Sequence, residues 1–374
     1  MGFDIIVIGG GLGGLCSTLH LSKKGLKVLL IEKHEYPKHK VCGEYISNEV
    51  LPYLNALGFD PFDFGAKAIS DFTLSTPGSR SVKTKLPLGG FSISRYCLDW
   101  ELAKKAQAAG AEIVHASVTD IQFENDRFRV LTKDEEFTAP LAIGSFGKRS
   151  NLDVKLDRDF IKKPSPFLGV KAHYKGNFPE NAVGLHNFEG GYCGISKVEN
   201  DNINICYLAD FKSFKQYKNI DDFQEQVLSK NTFLKEILDN AKLAFEKPLT
   251  ISQVSFERKH PVENHMIMCG DSAGMIHPLA GNGMSMAIKA AQVASLLILK
   301  FKSGKINSRL ELEKDYLKAW NSEFSGRLRS SHVISRLFRL GLFSELLIIG
   351  LNFIPFILPT IITKTHGKSM SSEL

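Results

Sequence analysis

Cysteine is scarce in this chain of 374 residues, and its six cysteines are scattered. They are Cys16, Cys42, Cys97, Cys193, Cys206 and Cys269. None belongs to a CxxC pair or shows the spacing of a zinc site, so the sequence predicts neither a disulfide framework nor a metal centre. The expected location is therefore a reducing compartment, the cytoplasm.

The sequence also lacks the features of several other protein classes. The first apolar run begins at Phe3, which leaves no room for the charged region of a signal peptide. The net charge is +7, with twelve Lys or Arg against six Asp or Glu between residue 300 and the end. There is no basic face with interleaved aromatic residues and no recognisable nucleic-acid-binding module, so nucleic acid is not expected as a partner.

A βαβ pattern is present at the start of the chain. Residues 3–8 form an apolar, β-branched run of strand length. The next residues, GGGLGG, fit G-x-G-x-x-G, where Gly9 allows a tight turn, Gly11 lets the backbone approach a pyrophosphate and Gly14 allows close packing of helix on strand. A helical stretch and a second strand follow, and this strand ends in Glu32, an acid placed to accept both hydroxyls of an adenosine ribose.

This unit predicts an adenine dinucleotide whose pyrophosphate lies at the N-terminus of a helix. Unpaired N–H groups and the helix dipole favour an anion there. The carboxylate of Glu32 would repel a 2′-phosphate, so FAD or NAD is expected and NADP is not. The predicted contacts are Gly9, Gly11, Leu12, Gly13, Gly14, Glu32 and Lys33.

A second glycine cluster, GDSAGMIHPLAGNGMSMAI, lies at residues 270–288. It follows a short apolar run and precedes a helix-like stretch. A dehydrogenase with one NAD site has no evident use for it, whereas a flavoprotein has. Asp271, at the end of a strand, is placed to hold the ribityl chain of a flavin. The N–H groups of Gly281 to Met284, including that of Gly283, are placed to stabilise the negative charge of the reduced flavin ring.

Three segments together resemble one group of FAD-dependent oxidoreductases. They are GxGxxG with Glu32, the segment RYCLDWELAKKAQAAGAEI with Arg95 and Asp99 in an R-x-x-L-D pattern, and GDSAG-x-x-HP-x-x-GNGM. The group contains the para-hydroxybenzoate hydroxylases and the geranylgeranyl reductases. The resemblance implies that Arg95 lies near the FAD diphosphate, Asp271 near the ribityl chain and diphosphate, and Gly281 to Met284 beside the isoalloxazine ring. Without the resemblance, Arg95 and Asp99 are also compatible with a surface ion pair at a helix start.

Some positions depart from the pattern of the group. Phe146 stands where the hydroxylases carry the acid of a G-x-D-G motif, which argues against a fast NADPH-driven hydroxylase. The sequence G-D-S-A-G is closer to the reductase branch than to the G-D-A-A-H common in hydroxylases. With only Trp100 and Trp320, the chain lacks the W-x-W-x-I-P motif of flavin halogenases. A second GxGxxG is also missing, so NAD(P)H, if it is the reductant, is expected to dock transiently.

The segment CGE at residues 42–44 resembles an element that lies near the flavin in the reductase branch. Cys42 is therefore a candidate proton donor, and the alternative is a small buried packing residue. Glu44 and His277 are further candidate general acids, with an ordinary structural role as the alternative for each.

The expected fold is α/β (α+β): a Rossmann-like FAD-binding domain, an inserted antiparallel-sheet substrate domain and a helical C-terminal tail. Strand-like runs at 167–209 predict the inserted sheet, and 221–242 is expected to be one amphipathic helix. The predicted FAD-binding domain comprises residues 1–70, 92–160 and 250–303, the substrate domain 71–91 and 161–249, and the cap 304–374.

The apolar stretch 340–362 is long enough to span a bilayer, but a charged residue, an amide and two prolines argue against a transmembrane helix. These residues are Glu345, Asn352, Pro355 and Pro359. Three interpretations stay open: a cap over an apolar substrate tunnel, a peripheral membrane contact, and a helix pair that packs on the core. The basic residues that would support a membrane contact are Arg327, Arg329, Arg336 and Arg339.

The sequence therefore predicts an FAD-dependent oxidoreductase that acts on a hydrophobic small molecule, such as a polyketide, an aromatic compound or an isoprenoid. It leaves open whether the enzyme inserts oxygen or reduces a C=C bond. The alternative is a flavin-binding protein that only transfers electrons to a partner.

Overall fold

Two large β-sheets organise the protein, seen in a computed structural model that describes residues 2–338 and 341–374. In chain order the strands are β1 (Ile5–Ile8), β2 (Val28–Glu32), β3 (Tyr45–Ser47), β4 (Lys67–Ser75), β5 (Ser81–Ser92), β6 (Glu112–His115), β7 (Asp120–Glu124), β8 (Arg127–Leu131), β9 (Glu136–Ala139), β10 (Leu141–Gly144), β11 (Phe167–Lys175), β12 (Ala182–Phe188), β13 (Gly191–Lys197), β14 (Asn202–Asp210), β15 (Lys242–Leu243), β16 (Leu249–Val254), β17 (Val262–Glu263) and β18 (Met266–Met268). The helices are α1 (Leu12–Lys23), α2 (Leu51–Ala56), α3 (Arg95–Ala108), α4 (Asn151–Lys155), α5 (Phe211–Phe214), α6 (Ile220–Gln226), α7 (Thr232–Asn240), α8 (Gly283–Lys302), α9 (Arg309–Phe338), α10 (Gly341–Phe353) and α11 (Ile357–Thr365).

The first sheet has the strand order β17-β18-β10-β1-β2-β6 and is parallel except for the edge strand β17. Every residue of β1, β2 and β10 is buried, as expected for parallel strands that are covered on both faces. Helix α1 connects β1 to β2 and packs against α3 and α8. The predicted βαβ unit and the Rossmann-like part of the fold are confirmed.

The second sheet has the order β15-β11-β14-β13-β12-β4-β5-β3, with β16 also paired to β11. It is inserted: β3 to β5 lie between β2 and β6 in the chain, and β11 to β16 lie between β10 and β17. Within this sheet, β11, β14, β13 and β12 pair antiparallel in that order, whereas β12 pairs parallel with β4. Residues 250–254, expected in the FAD-binding domain, belong to β16 and pair with β11 of the second sheet. Strands β15 and β16 both pair with β11, each along a different part of it. The domain boundaries stay a prediction.

The segment 221–242 is not one helix, contrary to the expectation. It breaks into α6, a 3₁₀ turn at Leu228–Lys230 and α7. Asn231 starts α7, because its side chain accepts a hydrogen bond from Phe233 N at 3.0 Å. The amide of this fully buried side chain also donates to Ser75 Oγ, Thr76 O and Asn187 O. A helix that ran straight through residue 231 would lose these bonds.

The C-terminal helices α10 and α11 pack on the second sheet. Their buried apolar residues and those of β4 and β5 form one cluster: Ile348, Leu351, Leu358 and Ile362 with Ile69, Leu74, Val82 and Leu86. The tail thus forms a helix pair on the core, one of the three interpretations. Arg339 and Leu340, which belong to the predictions for this tail, lie outside the described residues.

Two parts of the described chain are apolar enough to be compared with membrane spans. Helix α8 has the length and composition of a span, but 56% of its most apolar stretch is buried inside the protein. The segments Glu345–Phe353 and Ile357–Thr365 reach the same apolar content only together, and they are bent by 113°.

Candidate active site

The glycine-rich turn after β1 has the backbone that a pyrophosphate site requires. Gly9 adopts φ +100°, and a Cβ there would lie 2.3 Å from the carbonyl oxygen of Ser145. A Cβ on Gly14 would lie 2.0 Å from the Gly9 oxygen, so helix and strand can approach this closely only with glycine. A Cβ on Gly11, by contrast, would have Arg95 Nη2 as its nearest neighbour, at 3.8 Å. Space for a ligand therefore lies next to Gly11.

The first turn of α1 faces this space. Its N-cap residue, Gly11, makes no side-chain capping bond, and the turn contains no acidic residue. Unpaired N–H groups and the helix dipole favour an anion at such a position. Leu12 and Gly13 are buried, and a Cβ on Gly13 would lie 3.3 Å from Gly270 N of the second glycine cluster. These residues fit the diphosphate of FAD.

Glu32 is fixed beside the turn at the end of β2. Its carboxylate accepts hydrogen bonds from Gly10 N at 2.6 Å and His34 N at 3.1 Å. Tyr36 closes the same corner, since its hydroxyl donates to Gly10 O at 2.7 Å. A carboxylate has about four acceptor positions, so Glu32 can still accept ribose hydroxyls. The side chain of Lys33 is exposed.

Two cations stand beside the same turn. Arg95, the first residue of α3, binds Asp99 through Nε and Nη2, both at 2.7 Å, and Lys40 Nζ binds the same carboxylate at 2.8 Å. Burial alone would raise the pKa of Asp99, but the charges of Arg95 and Lys40 hold it below its ordinary value. The Asp99 side chain is fully buried, so this is not a surface ion pair. Two cations on one carboxylate leave a net positive charge close to Gly11, which suits a diphosphate.

The second glycine cluster is tied to the loop that follows β10. Asp271 lies in a 3₁₀ turn after β18, and its backbone oxygen accepts a hydrogen bond from Lys259 Nζ at 2.7 Å. The same ammonium donates to Lys148 O at 2.7 Å, and Gly147 N donates to Ser272 Oγ at 2.8 Å. Burial lowers the pKa of Lys259 to about 8. The ends of β1, β10 and β18 thus converge on one place.

The start of α8 is left without a side-chain cap. Gly281 has φ +62°, and the N-cap residue Asn282 makes no capping hydrogen bond to the helix. The side chain of Asn282 is buried and instead contacts Glu49 and Arg327. The first N–H groups of this 20-residue helix, from Gly283 onward, are therefore placed to stabilise negative charge.

Cys42 lies beside this helix start. Its Sγ is 3.5 Å from Sδ of Met284. Asn204 of β14 holds the loop, since Nδ2 donates to the Cys42 oxygen at 3.2 Å and to the Gly43 oxygen at 2.9 Å. The structure therefore brings Cys42 together with the loop that is expected beside the flavin ring, while its role as a proton donor stays a prediction.

Glu44 is the centre of a buried ion cluster. It is fully buried with φ 56°, a conformation that is uncommon for a residue with a side chain. Lys171 Nζ and His173 Nε2 each lie 2.7 Å from its carboxylate, and Arg95 N donates to it at 2.8 Å. Burial alone would raise the pKa of Glu44, but Lys171 and His173 hold it below its ordinary value. Glu44 is therefore an anion near neutral pH, a state that conflicts with the expected role of general acid.

The ion cluster also bears on metal binding. His39, Glu44 and His173 present ligand-type atoms within 4.8 Å of one another. However, one Glu44 oxygen binds Lys171 and the other binds His173, so an approaching divalent cation would meet an ammonium group already in place. The arrangement is that of a balanced ion cluster that fixes the loop at Glu44.

Sequence reasoning missed Lys171, His173 and Asn204. A signal exists for the first two, because they alternate in the otherwise apolar strand FLGVKAHYK and therefore share one face of the sheet. Asn204 lies opposite His173 in the neighbouring strand, and this register follows only from the pairing of β11 with β14.

His277 packs against the second sheet. It is 3% exposed, and its ring centroid lies 4.6 Å from that of Phe256 and 5.8 Å from that of Tyr192. Its Nδ1 accepts a hydrogen bond from Leu279 N at 3.4 Å. The apolar residues between the sheet and the loop before α8 form one group, here named the sheet-face cluster: Phe167, Leu185, Tyr192, Leu208, Ile251, Val254, Phe256, Met275 and Leu279. The second sheet thus presents an apolar face to this loop.

Comparisons with known proteins agree with a flavin site. The FAD-dependent oxidoreductase family matches residues 4–41. The conditioned medium factor receptor 1 of Dictyostelium discoideum is 24% identical over 366 residues, which cover 89% of this chain and 70% of the receptor. A digeranylgeranylglycerophospholipid reductase of Methanocaldococcus jannaschii is 26% identical over 339 residues, which cover 86% of this chain and 83% of the reductase.

Solved structures share the fold over nearly the whole chain. A flavin-dependent brominase matches with a TM-score of 0.77 at 18% identity and covers 97% of this chain and 94% of its own. A geranylgeranyl bacteriochlorophyll reductase-like protein of Thermoplasma acidophilum matches with a TM-score of 0.73 at 18% identity, covering 91% and 88%. The chain is therefore an FAD-dependent oxidoreductase, and it is similar over most of its length to a digeranylgeranylglycerophospholipid reductase.

Proposed function

We propose that the enzyme reduces a C=C bond in a hydrophobic substrate of the isoprenoid type. The observation that carries this proposal is the sheet-face cluster around His277, which is built from apolar and aromatic side chains. Its partly buried members, such as Phe167, Leu185 and Phe256, keep some apolar area that a hydrocarbon chain would remove from water, at roughly 25 cal/mol per Å². The reductase relatives that align with most of the chain support reduction over oxygen insertion.

FAD, when bound, supplies a hydride to one carbon of such a bond, and a proton must reach the other. Cys42 is the proposed proton donor because it lies at the start of α8, where the flavin ring is expected. Glu44 is proposed as a positioning residue. Its contacts with Lys171 and His173, together with the bonds that Asn204 donates to the backbone at residues 42 and 43, fix the loop that carries Cys42.

NAD(P)H is the proposed source of the electrons. The chain carries one dinucleotide fingerprint, at Gly9 to Gly14, and the FAD would occupy it. The nicotinamide cofactor would therefore dock only long enough to reduce the flavin. Flavin bleaching under anaerobic conditions on addition of NADH or NADPH, monitored by absorbance, tests this step by itself.

The reaction itself is tested with chemically reduced enzyme. Protein loaded with FAD is reduced with dithionite without oxygen and incubated with a geranylgeranyl-chain lipid. The expected product gains about 2 Da per reduced bond, without consumption of O2. Cys42→Ser should slow product formation while FAD stays bound. A product that gains about 16 Da only in air would instead establish monooxygenation. Reoxidation by an added protein acceptor, with no lipid product, would support the electron-transfer alternative.

We further propose that the bend between α10 and α11 contacts a lipid surface. Phe353 is 82% exposed and Phe356 is 70% exposed, Ile354 between them is also exposed, and so is Leu346 two turns earlier on α10. The opposite side of the same helices is buried on the second sheet. Apolar side chains that project from a bend in this way are suited to insertion at a membrane interface.

Of the arginines expected to support a membrane contact, two are exposed and one is buried. Arg329 and Arg336 are exposed on α9 and available to anionic headgroups. Arg327 is buried and bound to Glu49 at 3.2 Å, so its expected role in membrane contact is wrong. Arg327 belongs instead to the surroundings of the α8 start.

A further inference from the structure

The end of the chain returns from α11 to the core beside the start of α8. Met370 N donates to Glu49 O at 2.8 Å, and the Met370 side chain is buried in the main core. The fully buried Gln292 of α8 donates to the carbonyl oxygens of Ser371 at 2.8 Å and Glu373 at 3.2 Å. A chain end that satisfies buried polar groups in this way is part of the core.

The carboxylate of Glu49 joins this chain end to the loop before α8. It is 1% exposed, and Arg327 Nη1 lies 3.2 Å from it. Arg327 Nη1 also lies 3.3 Å from Asn282 Oδ1, and Asn282 Nδ2 lies 3.4 Å from Glu49. Gly367 N donates to the other oxygen of Glu49 at 2.5 Å. One buried carboxylate thus binds the C-terminal segment, α9 and the N-cap residue of α8.

Gly367 lies directly against the guanidinium group of Arg327. A Cβ on Gly367 would be 2.3 Å from Arg327 Nη2 and 2.7 Å from its Cζ. An arginine side chain can usually move aside, but this one is held by Glu49 and Asn282. A side chain at residue 367 would therefore displace the guanidinium and disturb Asn282.

A second contact leads from the same segment to the glycines. The ring of His366 lies 6.2 Å from the ring of Tyr45. A Cβ on Gly281 would lie 3.4 Å from Tyr45 Cδ1, so Tyr45 packs directly on the loop before α8. The chain end therefore approaches the loop from two sides, through Glu49 and through Tyr45.

We propose that residues 367–374 form a latch that sets the position of Asn282, and that Arg327 and Glu49 are positioning residues for the flavin. Because the side chain of Asn282 is engaged by this pair, it does not cap α8, and the first N–H groups of the helix remain available to the reduced flavin. The proposal rests on the placement of the flavin ring at Gly281 to Met284, which belongs to the proposed function.

The first test is Arg327→Gln in the full-length, FAD-loaded protein. It removes the cation from a buried carboxylate, and because Gln is shorter, Asn282 loses the guanidinium as its donor. We expect the Kd for FAD to rise about tenfold, the effect of one charge-assisted hydrogen bond. We also expect the flavin midpoint potential to fall, because the reduced, anionic flavin loses aligned donors. The matched control is Lys318→Gln, which removes an exposed cation from the same helix and should change neither value.

The second test is Gly367→Ala, with Gly326→Ala as its control, since a Cβ on Gly326 meets nothing within 4 Å. Gly367→Ala and deletion of residues 367–374 should shift Kd and potential in the same direction as Arg327→Gln. If Arg327→Gln does not fold, the Kd for FAD and the midpoint potential of Gly367→Ala test the proposal by themselves.

An unchanged midpoint potential in the folded, FAD-bound Arg327 and Gly367 variants would overturn the latch, even if their melting temperatures fell, because a purely structural role would affect only stability. The potential is measured without any lipid substrate. Failure of the wild-type enzyme to reduce a lipid would therefore contradict the proposed function and leave this inference standing.

Discussion

Gly11 allows the nucleotide site to be tested with a single substitution. A Cβ at this residue meets no protein atom closer than 3.8 Å, so Gly11→Val is expected to fold. Its side chain would occupy the space that the diphosphate needs, and the purified protein should be colourless. Flavin absorbance per protein and the melting temperature are the two measurements. Gly326→Val is the control, and full FAD occupancy in Gly11→Val would show that the fingerprint does not bind the cofactor.

Asp271 and Gly283 are expected to act on different properties of the flavin. Asp271→Ala removes a charged acceptor from the ribityl hydroxyls and should weaken FAD binding by about 1.5–3 kcal/mol. Gly283→Val is expected to fold, because a Cβ there would meet Ile276 Cγ2 only at an ordinary contact distance of 3.7 Å, and the larger side chain should separate the helix start from the ring. It should lower the midpoint potential. Titration with FAD and potentiometry separate the two effects, and unchanged values in both variants would mean that these residues only shape the turn.

At the scale of elements, β11 and β14 determine how the Cys42 loop is held. Lys171 and His173 on β11 bind Glu44, and Asn204 on β14 binds the backbone of the loop. The second sheet therefore supplies more than an apolar surface. It holds, through a buried ion cluster, the loop that carries Cys42 beside the start of α8.

The ion cluster makes stability depend on pH in a defined direction. The pKa of Glu44 is lowered on folding, so its stabilising contribution is fully present above the ordinary Glu pKa of about 4.3. The contribution is lost as the pH falls through the lower pKa of the folded state. Glu44→Gln should therefore be less stable than the wild type at pH 7, and the difference should shrink in acid. Urea unfolding at pH 7 and at a pH below about 4 measures this difference in stability. The control is Glu135→Gln, since Glu135 is exposed. A difference that is the same at both pH values would contradict the assignment.

At the scale of the whole molecule, the apolar cluster beneath the C-terminal helices adjoins the sheet-face cluster, which is the proposed substrate face. Leu185 packs both in the cluster beneath α10 and α11 and in the sheet-face cluster around His277. The bend at Phe353 and Phe356 follows the buried residues of α10 in the chain, and the partly buried Leu185 joins the cluster beneath these helices to the proposed substrate site. A lipid-type substrate and a lipid-surface contact are consistent with one apolar route through the molecule.

The membrane contact is tested by a double variant, Phe353→Ser with Phe356→Ser. Burying one phenylalanine contributes about 1.5–3 kcal/mol, so losing two should reduce binding to vesicles roughly a hundredfold or more. Co-sedimentation with vesicles that contain an anionic phospholipid is the measurement. The control is Leu310→Ser with Val154→Ser, two exposed apolar residues elsewhere. Equal binding of both double variants would contradict the proposal, and resistance of the wild type to alkaline carbonate extraction would indicate a spanning helix instead.

The sequence by itself determined the features whose signals are local. The spacing of Gly9, Gly11 and Gly14, the strand that ends in Glu32 and the period of the apolar residues lie within one βαβ unit, so short-range sterics decide them. The same reasoning predicted an inserted sheet but not its edges. It also missed the break at Asn231, because the side-chain amide of this residue donates hydrogen bonds to residues far away in the chain.

Only the tertiary structure decided which charged groups meet. Glu44 and Lys171 are 127 residues apart, and Glu49 and Arg327 are 278 residues apart, yet each pair is buried in contact. Glu44 lies directly before β3 and Glu49 lies in a 3₁₀ turn directly after it, and the sequence around Lys171 and Arg327 does not indicate which acid each one binds. Burial makes an unpaired charge costly, so the fold must bring an opposite charge to each, but only the packing of the two sheets and the chain end determines which one.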